Sequence, residues 1–462
     1  MSSHAGRPRL VVVGGDAAGM SAASQARRLA PELEIVVLEQ GPHISYAACG
    51  IPLVVSGRVS DPAALQSFTP ESAAARRGLD VRIGRRVTRL DLREGAVHGV
   101  EVDGGEPFRL GFDRLVLATG ARPLRPPLPG VDLPGVFTIR RLEQGLRLAA
   151  WLDERRPQSA VIAGAGLVGL DLAEALRARG LGMTILKKNA TPLLDLEPEL
   201  SVLAEEALAR SGCVLLRDAP LYALEGGAAG NVEAVRAGGE RIPADLVVLA
   251  MGVSPCAELA AEAGIELGAG GAIAVNRRTE TSARGVYAAG DCATQHHRLT
   301  GETVHVTQAL AANRQGRVAG ANAAQALAGR RADREHSGTL GTVVRGLFDA
   351  ELGRTGLGLG AAREAKFDAY TTVIGSRNRA GYHPGSGPVK VALIAERRTG
   401  RLLGGQIVGA PGAAKRIDVV ATAIHAGLDL AALAELDLGY APGFSPVRDP
   451  LLVAARAALK RL

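Results

Sequence analysis

The chain has 462 residues, 47% of them hydrophobic and 22% charged, which suits a soluble globular protein of about three domains. The net charge is +7. Because no nucleic-acid motif accompanies this charge, it favours a small phosphate-rich ligand over nucleic acid. No stretch reaches membrane-spanning length, and residues 10–13 are too short for a signal-peptide core. The four cysteines fit neither a zinc spacing nor a disulfide framework. We therefore expect a cytoplasmic protein with no membrane partner and no metal site.

The first predicted elements form a nucleotide-binding unit. Residues 10–13 predict a buried strand, a glycine-rich turn follows, and a helix runs to about Leu29. The next strand, Glu34–Leu38, ends at an acidic residue twenty positions beyond Gly19. Such glycines let the backbone approach a pyrophosphate, and the acid accepts from ribose hydroxyls. The predicted cofactor-binding residues here are Gly14, Gly15, Ala18, Gly19, Glu39 and Gln40.

Asp16 occupies the place of the middle glycine in this turn. A carboxylate there would repel the pyrophosphate unless the side chain turns away. Capping of the following helix is one way for it to do so.

Cys49 lies ten residues after Glu39, in the run Ser45-Tyr46-Ala47-Ala48-Cys49-Gly50-Ile51-Pro52. This position places a thiol close to where the ligand of the nucleotide-binding unit is expected. A single thiol has to alternate between the thiolate and a mixed disulfide, a persulfide or a sulfenic acid. The alternative is a buried structural cysteine. We interpret Cys213, Cys256 and Cys292 as structural.

A second unit repeats the pattern. Residues 160–163 predict a strand, Gly164-Ala165-Gly166-Leu167-Val168-Gly169 is a complete fingerprint, and residues 171–179 predict a helix. The next strand, 183–186, ends at Lys187-Lys188 instead of an acid. Two ammonium groups suit a 2′-phosphate, so NADPH is predicted over NADH. The alternative is that both lysines point to solvent. The predicted binding residues are Gly164, Gly166, Leu167, Val168, Gly169, Lys187 and Lys188.

Two further strands close the first unit. One ends in Thr119-Gly120, and a later one ends in Gly290-Asp291, whose carboxylate can bond a ribityl hydroxyl. The arrangement predicts an FAD-binding domain over 1–121, a nicotinamide-nucleotide domain over 122–246, and a second part of the FAD domain over 247–330. Further predicted cofactor-binding residues are Val87, Ala118, Thr119, Gly120, Gly252, Gly290, Asp291 and Ala309.

The C-terminal part, residues 335–462, is rich in strands. Strands are predicted at 389–394 and Leu402–Gly409, and a helix at 416–426. This pattern predicts a half-open sheet that needs a partner surface.

Together these segments resemble the pyridine nucleotide-disulfide oxidoreductase superfamily. The resemblance is strongest to its single-cysteine branch: coenzyme A-disulfide reductases, NAD(P)H polysulfide and persulfide reductases, and NADH oxidases and peroxidases. Members with an internal disulfide carry a second cysteine where this chain has Val54. The resemblance implies an α/β fold: two doubly wound Rossmann-like nucleotide-binding domains plus a C-terminal α/β dimerisation domain. It also implies a homodimer with the active site completed by the partner subunit.

The resemblance implies roles for individual residues. Cys49 becomes the redox nucleophile, and Tyr440 and Tyr382, arriving from the partner, become proton donors. Gln25, Arg28 and Ser45 match positions that line a coenzyme A channel. The chain departs from the family pattern in having Ala48 for asparagine, Leu53 for an aromatic residue and Gly443 for proline. Packing at the dimer interface is the alternative role for the two tyrosines.

The expected function is therefore FAD-dependent reduction of a small disulfide or persulfide by NAD(P)H, with coenzyme A disulfide favoured. An NADH oxidase or peroxidase that cycles Cys49 through sulfenic acid is the first alternative. A flavin reductase that passes electrons to a ferredoxin-like partner is the second, and a redox-sensing flavoprotein the third. The pair His296-His297 does not distinguish them.

Overall fold

The structure, a computed structural model, describes residues 7–462. Its first segment contributes strands to three sheets and contains three helices. The elements are β1 (Arg9–Val13), α1 (Ala17–Leu29), β2 (Glu34–Leu38), α2 (Ile51–Val55), α3 (Pro70–Arg77), β3 (Asp80–Arg82), β4 (Arg85–Asp91), β5 (Ala96–Glu101), β6 (Pro107–Gly111), β7 (Arg114–Leu117) and β8 (Ala121–Pro123).

The second segment begins with one additional strand and helix and then follows nearly the same order of elements. It consists of β9 (Val136–Phe137), α4 (Leu142–Arg155), β10 (Ser159–Ala163), α5 (Leu167–Ala178), β11 (Gly182–Leu186), α6 (Pro198–Arg210), β12 (Cys213–Leu216), β13 (Leu221–Gly226), β14 (Val232–Ala237), β15 (Glu240–Pro243) and β16 (Leu246–Leu249). Helix α5 begins at Leu167 rather than at the predicted position 171, because the turn passes straight into the helix after Gly166.

The third segment returns to the first sheet and then continues into a C-terminal layer. It consists of β17 (Val253–Pro255), α7 (Glu258–Glu262), β18 (Val286–Ala288), β19 (Gln295–His296), β20 (Thr303–Val304), α8 (Ala309–Leu327), β21 (Val343–Leu347), β22 (Ala350–Gly356), α9 (Leu359–Glu364), β23 (Ala369–Arg377), β24 (Pro388–Glu396), β25 (Leu402–Gly409), α10 (Ile417–Ala426), α11 (Leu430–Ala434) and α12 (Pro450–Leu459).

Two parallel five-stranded sheets form the centres of the two nucleotide-binding units. Their strand orders are β18-β7-β1-β2-β3 and β9-β16-β10-β11-β12. Each sheet is accompanied by a three-stranded antiparallel sheet, β4-β5-β6 in the first unit and β13-β14-β15 in the second. The central strands are fully buried apolar runs, as in parallel sheets that are covered on both faces.

Helices α1 and α8 pack closely beside the first sheet. Small residues make this approach possible, since a Cβ atom at Gly316 would lie 2.2 Å from the Ala18 carbonyl oxygen. A Cβ atom at Gly320 would likewise lie 2.0 Å from the Ala22 carbonyl oxygen. The C-terminal layer is an antiparallel sheet in the order β21-β22-β25-β24-β23. No helix within residues 7–462 has both the length and the apolar character to cross a bilayer.

Candidate active site

The first cleft lies at the carboxyl ends of β1, β2 and β7. Gly14, Glu39 and Ala118 follow these three strands directly, and all three line the cleft. Ligands of open parallel sheets bind at this edge, outside the ends of the strands. The turn after β1 therefore faces the same space as the acid after β2.

Steric contacts require glycine in the turn after β1. Gly14 has a φ of +111°, and a Cβ atom on it would lie 2.1 Å from the Ala118 carbonyl oxygen. A Cβ atom on Gly19 would lie 1.8 Å from the Gly14 carbonyl oxygen. Helix α1 is therefore held against the strand by contacts that no larger residue permits.

Both carboxylate oxygens of Glu39 accept hydrogen bonds from the backbone. Oε2 accepts from the Gly15 N–H at 2.8 Å, and Oε1 accepts from the Gly41 N–H at 2.7 Å. A carboxylate has about four acceptor positions, so Glu39 can still accept from ribose hydroxyls. These two bonds fix the side chain at the rim of the turn.

Asp16 is the N-cap residue of α1, yet its side chain makes no capping hydrogen bond. The cap that would turn this carboxylate away from a pyrophosphate is therefore absent. Its Oδ1 is buried and has no hydrogen-bond partner among the described residues. Burial, together with the nearby charge of Glu39, raises the pKa of Asp16 to about 6. Asp16 itself lines the cleft.

Asp291 is connected to the cleft through Arg140. The Arg140 guanidinium donates to Asp291 Oδ2, and Arg140 lines the cleft whereas Asp291 does not. The preceding Gly290 N–H donates to Gln315 Oε1 at 2.9 Å, which fixes the end of β18 against α8. Arg140 was not among the sequence predictions, because no local motif marks it.

Cys49 lies in a single 3₁₀ turn, Ala48–Gly50, that leads directly into α2. Its side chain is exposed, and its neighbours Tyr46 and Ala48 line the first cleft. The Ser45 N–H donates to the Gly15 carbonyl at 2.9 Å, so the cysteine segment is joined to the glycine turn. The structure thus places the thiol beside the cleft, at the start of a helix.

The other three thiols are less accessible. Cys213 and Cys292 are buried and Cys256 is partly buried. Burial raises the pKa of each of these thiols. Of the four cysteines, all within the described residues, Cys49 is the one that is exposed, and a thiolate nucleophile requires such access.

One face of α1 carries a row of polar side chains. Ser21, Gln25 and Arg28 are spaced four and three residues apart, which puts them on the same helical face. Arg28 donates to Gln25 Oε1 at 2.9 Å, and Asn313 of α8 donates to the Ser21 hydroxyl at 2.8 Å. Ser21 and Asn313 were missed from the sequence, because their partnership depends on the packing of α1 against α8.

The second cleft has the corresponding position in the second unit. It lies at the ends of β10, β11 and β16, and a Cβ atom on Gly169 would meet the Gly164 carbonyl oxygen at 2.0 Å. In contrast to Asp16, the middle residue Gly166 faces open space, with nothing within 4 Å of the point where a Cβ atom would lie. The backbone there is open to a pyrophosphate.

Basic side chains line the far end of the second cleft. Lys187 donates to the side chains of Asn189 and Thr191, and burial lowers its pKa. Lys188 is exposed and also lines the cleft. The third cation, Arg354, comes from β22 of the C-terminal layer and donates to the Leu194 carbonyl at 2.9 Å. Arg354 was not predicted, because it is remote from the motif in sequence.

The two predicted tyrosines stand together on the C-terminal layer. Tyr382 is 79% exposed and Tyr440 is 49% exposed. A hydrogen bond with the Tyr382 side chain raises the pKa of Tyr440. Neither tyrosine lines the first cleft of its own chain.

Arg416 ties the two tyrosine segments together. It donates to the Asn378 carbonyl at 2.7 Å and to the Phe444 carbonyl at 2.6 Å. Its Nε also donates to Asp449 Oδ2 at 3.1 Å. One nearly buried guanidinium therefore fixes the relative position of both segments.

The structure brings most of the predicted nucleotide residues to the two clefts. Those lining the first cleft are Gly14, Gly15, Glu39, Gln40, Val87, Ala118, Thr119 and Gly120; those lining the second are Gly164, Gly166, Leu167, Lys187, Lys188 and Gly252. The predicted residues that line neither are Ala18, Gly19, Gly290, Asp291, Ala309, Val168 and Gly169. Gly19 and Gly169 instead act through the helix–strand contact described above.

The first cleft fits a flavin dinucleotide. It offers a turn without side chains at Gly14 and Gly15, a ribose acceptor at Glu39, and the guanidinium of Arg140. The second cleft fits a nicotinamide nucleotide, because its open Gly166 turn can approach a pyrophosphate; Lys187 and Lys188 line the same cleft.

Comparisons with known proteins agree with this geometry. Residues 8–316 match the family model described as pyridine nucleotide-disulphide oxidoreductase, and residues 346–450 match the dimerisation domain of the same family. The chain is 37% identical over 451 residues to an NAD(P)H coenzyme A polysulfide/persulfide reductase of Pyrococcus horikoshii, with 97% of this chain and 98% of that protein covered.

Two further similarities concern other members. An NADH oxidase of Methanocaldococcus jannaschii is 35% identical over 458 residues, with 98% of this chain and 99% of that protein covered. The crystal structure of reduced Bacillus anthracis CoADR-RHD has a TM-score of 0.93 and 33% identity, with 99% of this chain and 81% of that chain covered.

Proposed function

Because this chain belongs to the pyridine nucleotide-disulphide oxidoreductase family, and so is an FAD- and NAD(P)H-dependent oxidoreductase, we propose that it reduces a small disulfide or persulfide through Cys49. Coenzyme A disulfide is the favoured substrate. The observation that carries the proposal is the exposed Cys49 at a helix start beside the first cleft, with Val54 where a second cysteine would stand. The proposed FAD domain comprises 1–121 and 247–330, the nicotinamide domain 122–246 and the dimerisation domain 335–462.

The residues of the first cleft would hold FAD. When bound, FAD takes an electron pair from the nicotinamide and passes it on. Gly14 and Gly15 admit the pyrophosphate, Glu39 accepts from the ribose, and Asp291 with Arg140 secures the ribityl region. Cys49 is then the exposed thiol beside this cleft that can receive the electron pair.

The chemistry of Cys49 follows from its being a single thiol. The Cys49 thiolate attacks one sulfur of the substrate disulfide, forming the Cys49–substrate disulfide and releasing the first thiolate. The electron pair from NAD(P)H cleaves this disulfide, releasing the second thiolate and restoring the Cys49 thiolate. The released thiolates take up two protons, one from NAD(P)H oxidation and one from solvent or a donor side chain, so that each turnover gives two thiols and NAD(P)⁺.

The polar face of α1 supports a coenzyme A substrate. Arg28 supplies an exposed positive charge for a phosphate, and Gln25, Ser21 and Asn313 supply hydrogen-bonding groups in line with it. Coenzyme A carries several phosphates and a thiol at opposite ends. This row of polar groups suits a ligand of that kind, and the Ser45 N–H bonds the Gly15 carbonyl in the turn before α1.

The proton donors in this proposal come from a second copy of the chain. The family match includes a dimerisation domain. Tyr382 and Tyr440 are exposed on that part of the chain, so a partner subunit can receive them. Each tyrosine hydroxyl could then protonate a departing thiolate, a role that contributes roughly 10²–10⁴ in rate.

The second candidate function is an NADH oxidase. The observation that favours it is the 35% identity to a relative of that name. An exposed Cys49 thiolate would also be open to oxidation to sulfenic acid. The nucleotide and FAD sites would be unchanged.

A Cys49→Ser variant tests the proposal. Disulfide reduction by NADPH should fall at least about 10³-fold, while electron transfer from NADPH to an artificial one-electron acceptor should persist. The matched control is Cys213→Ala, which removes a thiol remote from both clefts and should keep both activities. Unchanged disulfide reduction in Cys49→Ser would show that the chain is an electron-transfer reductase. Oxygen consumption that exceeds disulfide reduction in the native protein would favour the NADH oxidase.

A further inference from the structure

We propose that Asp16 carries a proton when FAD is bound, and that loss of this proton in alkaline solution weakens FAD binding. Asp16 would thus be an FAD-binding residue that acts as a hydrogen-bond donor. The inference concerns the flavin site alone and does not depend on which disulfide is reduced.

The position of Asp16 brings its carboxyl close to the pyrophosphate-binding turn. It follows Gly14 and Gly15 directly and precedes the first residue of α1. Its side chain lines the first cleft, and its Oδ1 is buried without a hydrogen-bond partner among residues 7–462. An ionised carboxylate therefore lacks the donors that would stabilise its charge at this oxygen.

Two carboxylates and one guanidinium act directly on the charge of Asp16. Glu39 follows β2, and Asp291 follows β18; both raise its pKa. Arg140, at the start of the segment leading into α4, and the Ala17 N–H of α1 lower it. The remaining titratable groups that line this cleft are His43, Tyr46, Arg85, Arg86, Arg141, Glu143, Cys256 and Glu258.

Arg140 does not neutralise Asp16 by itself, because its guanidinium is already paired with Asp291. Burial and the neighbouring carboxylates outweigh the opposite effects of Arg140 and the Ala17 N–H. They raise the pKa of Asp16 to about 6 before any ligand is added. FAD brings two phosphate charges to the same turn. Their repulsion disfavours the Asp16 carboxylate further, whereas the protonated carboxyl can donate to a phosphate oxygen.

The direction of the pH effect follows by linkage. Below about pH 6 Asp16 is protonated with and without FAD, so its titration leaves the affinity constant. Above that pH the free site has lost the proton that the FAD-bound site retains, so binding takes up a proton. The dissociation constant then rises by up to about tenfold per pH unit, until the pKa of the FAD-bound state is passed.

The test is the dissociation constant of FAD for the apoprotein, measured by flavin fluorescence from about pH 5.5 to 8.5. The native protein should bind at least about tenfold more weakly at the upper end. Asp16→Asn keeps the size and a donor N–H, so it should bind FAD tightly with most of this dependence removed. Asp16→Gly, which restores the glycine of the fingerprint, should also lose the dependence.

His43 provides the control, since it is another ionisable side chain that lines the cleft. A His43→Gln variant should keep the native pH dependence. Equal pH dependence in Asp16→Asn and the native protein would overturn the proposal. So would a flat native profile, because loss of the Asp16 proton would then leave FAD binding unchanged. Neither result bears on disulfide reduction, which is measured separately.

Discussion

The two nucleotide-binding units share a scaffold and differ in charge. Both have the central order of four parallel strands with a three-stranded sheet inserted before the last of them, although the outer strand is β18 in one unit and β9 in the other. The first cleft carries Asp16 and Glu39 at its turn, whereas the second carries Lys187 and Lys188. We therefore expect the backbone to provide the pyrophosphate site in both units and the side chains at the strand ends to select the nucleotide.

The shared scaffold depends on the same steric contact between helix and strand in each unit. A Cβ atom would lie 1.8 Å from a backbone oxygen at Gly19 and 2.0 Å at Gly169. The divergent part is the middle residue of the turn, where Gly166 of the second unit corresponds to Asp16 of the first. Substitutions at these positions distinguish the contribution of the backbone scaffold to nucleotide binding from the contribution of the charged side chains.

The largest expected effect comes from Gly19→Ala and Gly169→Ala. Each added methyl group forces the helix away from its strand, which costs at least about 2 kcal/mol and displaces the N–H groups that face the pyrophosphate. Gly19→Ala should lose FAD on gel filtration, whereas Gly169→Ala should retain FAD and lose NADPH binding. Gly166→Ala is the matched control for stability, because nothing lies within 4 Å of its Cβ position. Equal thermal stability of Gly169→Ala and Gly166→Ala would contradict this account.

A smaller effect is expected from replacing Lys187 and Lys188 together with alanine. Each ammonium group that contacts a 2′-phosphate contributes about 1.5–3 kcal/mol. The kcat/KM for NADPH should therefore fall about 10²–10⁴-fold when both are removed, while that for NADH changes little. Lys460→Ala, at an exposed lysine after α12, should leave both values unchanged. A native protein that prefers NADH strongly would refute the assignment of the two lysines.

The smallest effect is expected from Arg354→Ala. Arg354 lines the second cleft from β22 and donates to the carbonyl of Leu194, which lines the same cleft, so its removal frees that segment. We expect the KM for NADPH to rise by about three- to tenfold, with kcat nearly unchanged. Arg354→Lys should recover part of the loss, since it restores the charge without the full set of donors. A fall in kcat at constant KM would exclude a role in nucleotide binding.

Local patterns predicted the elements well. The predicted bounds of β2 and β25 are those of the structure, because each is an apolar run ended by a turn or a charge. The fold class, two doubly wound units with a C-terminal dimerisation layer, is confirmed. Helix α5 begins four residues before its predicted start, because the last residues of the glycine fingerprint form the first turn of the helix.

The site was predictable where it depends on short motifs and not where it depends on tertiary contacts. The glycine turns and the residues at the strand ends are neighbours in sequence. Arg140 contacts Asp291 across 151 residues, and Arg354 meets Leu194 across 160. The capping hydrogen bond considered for Asp16 is absent.

The central claim is that Cys49 forms the covalent link to substrate. Intact mass spectrometry after anaerobic treatment with coenzyme A disulfide, followed by NADPH, tests it most directly. We predict one coenzyme A adduct, located on Cys49, that disappears when NADPH is added and is absent from Cys49→Ser. An increment of one or two oxygen atoms on Cys49 instead, or an adduct of the same yield in Cys49→Ser, would contradict the account.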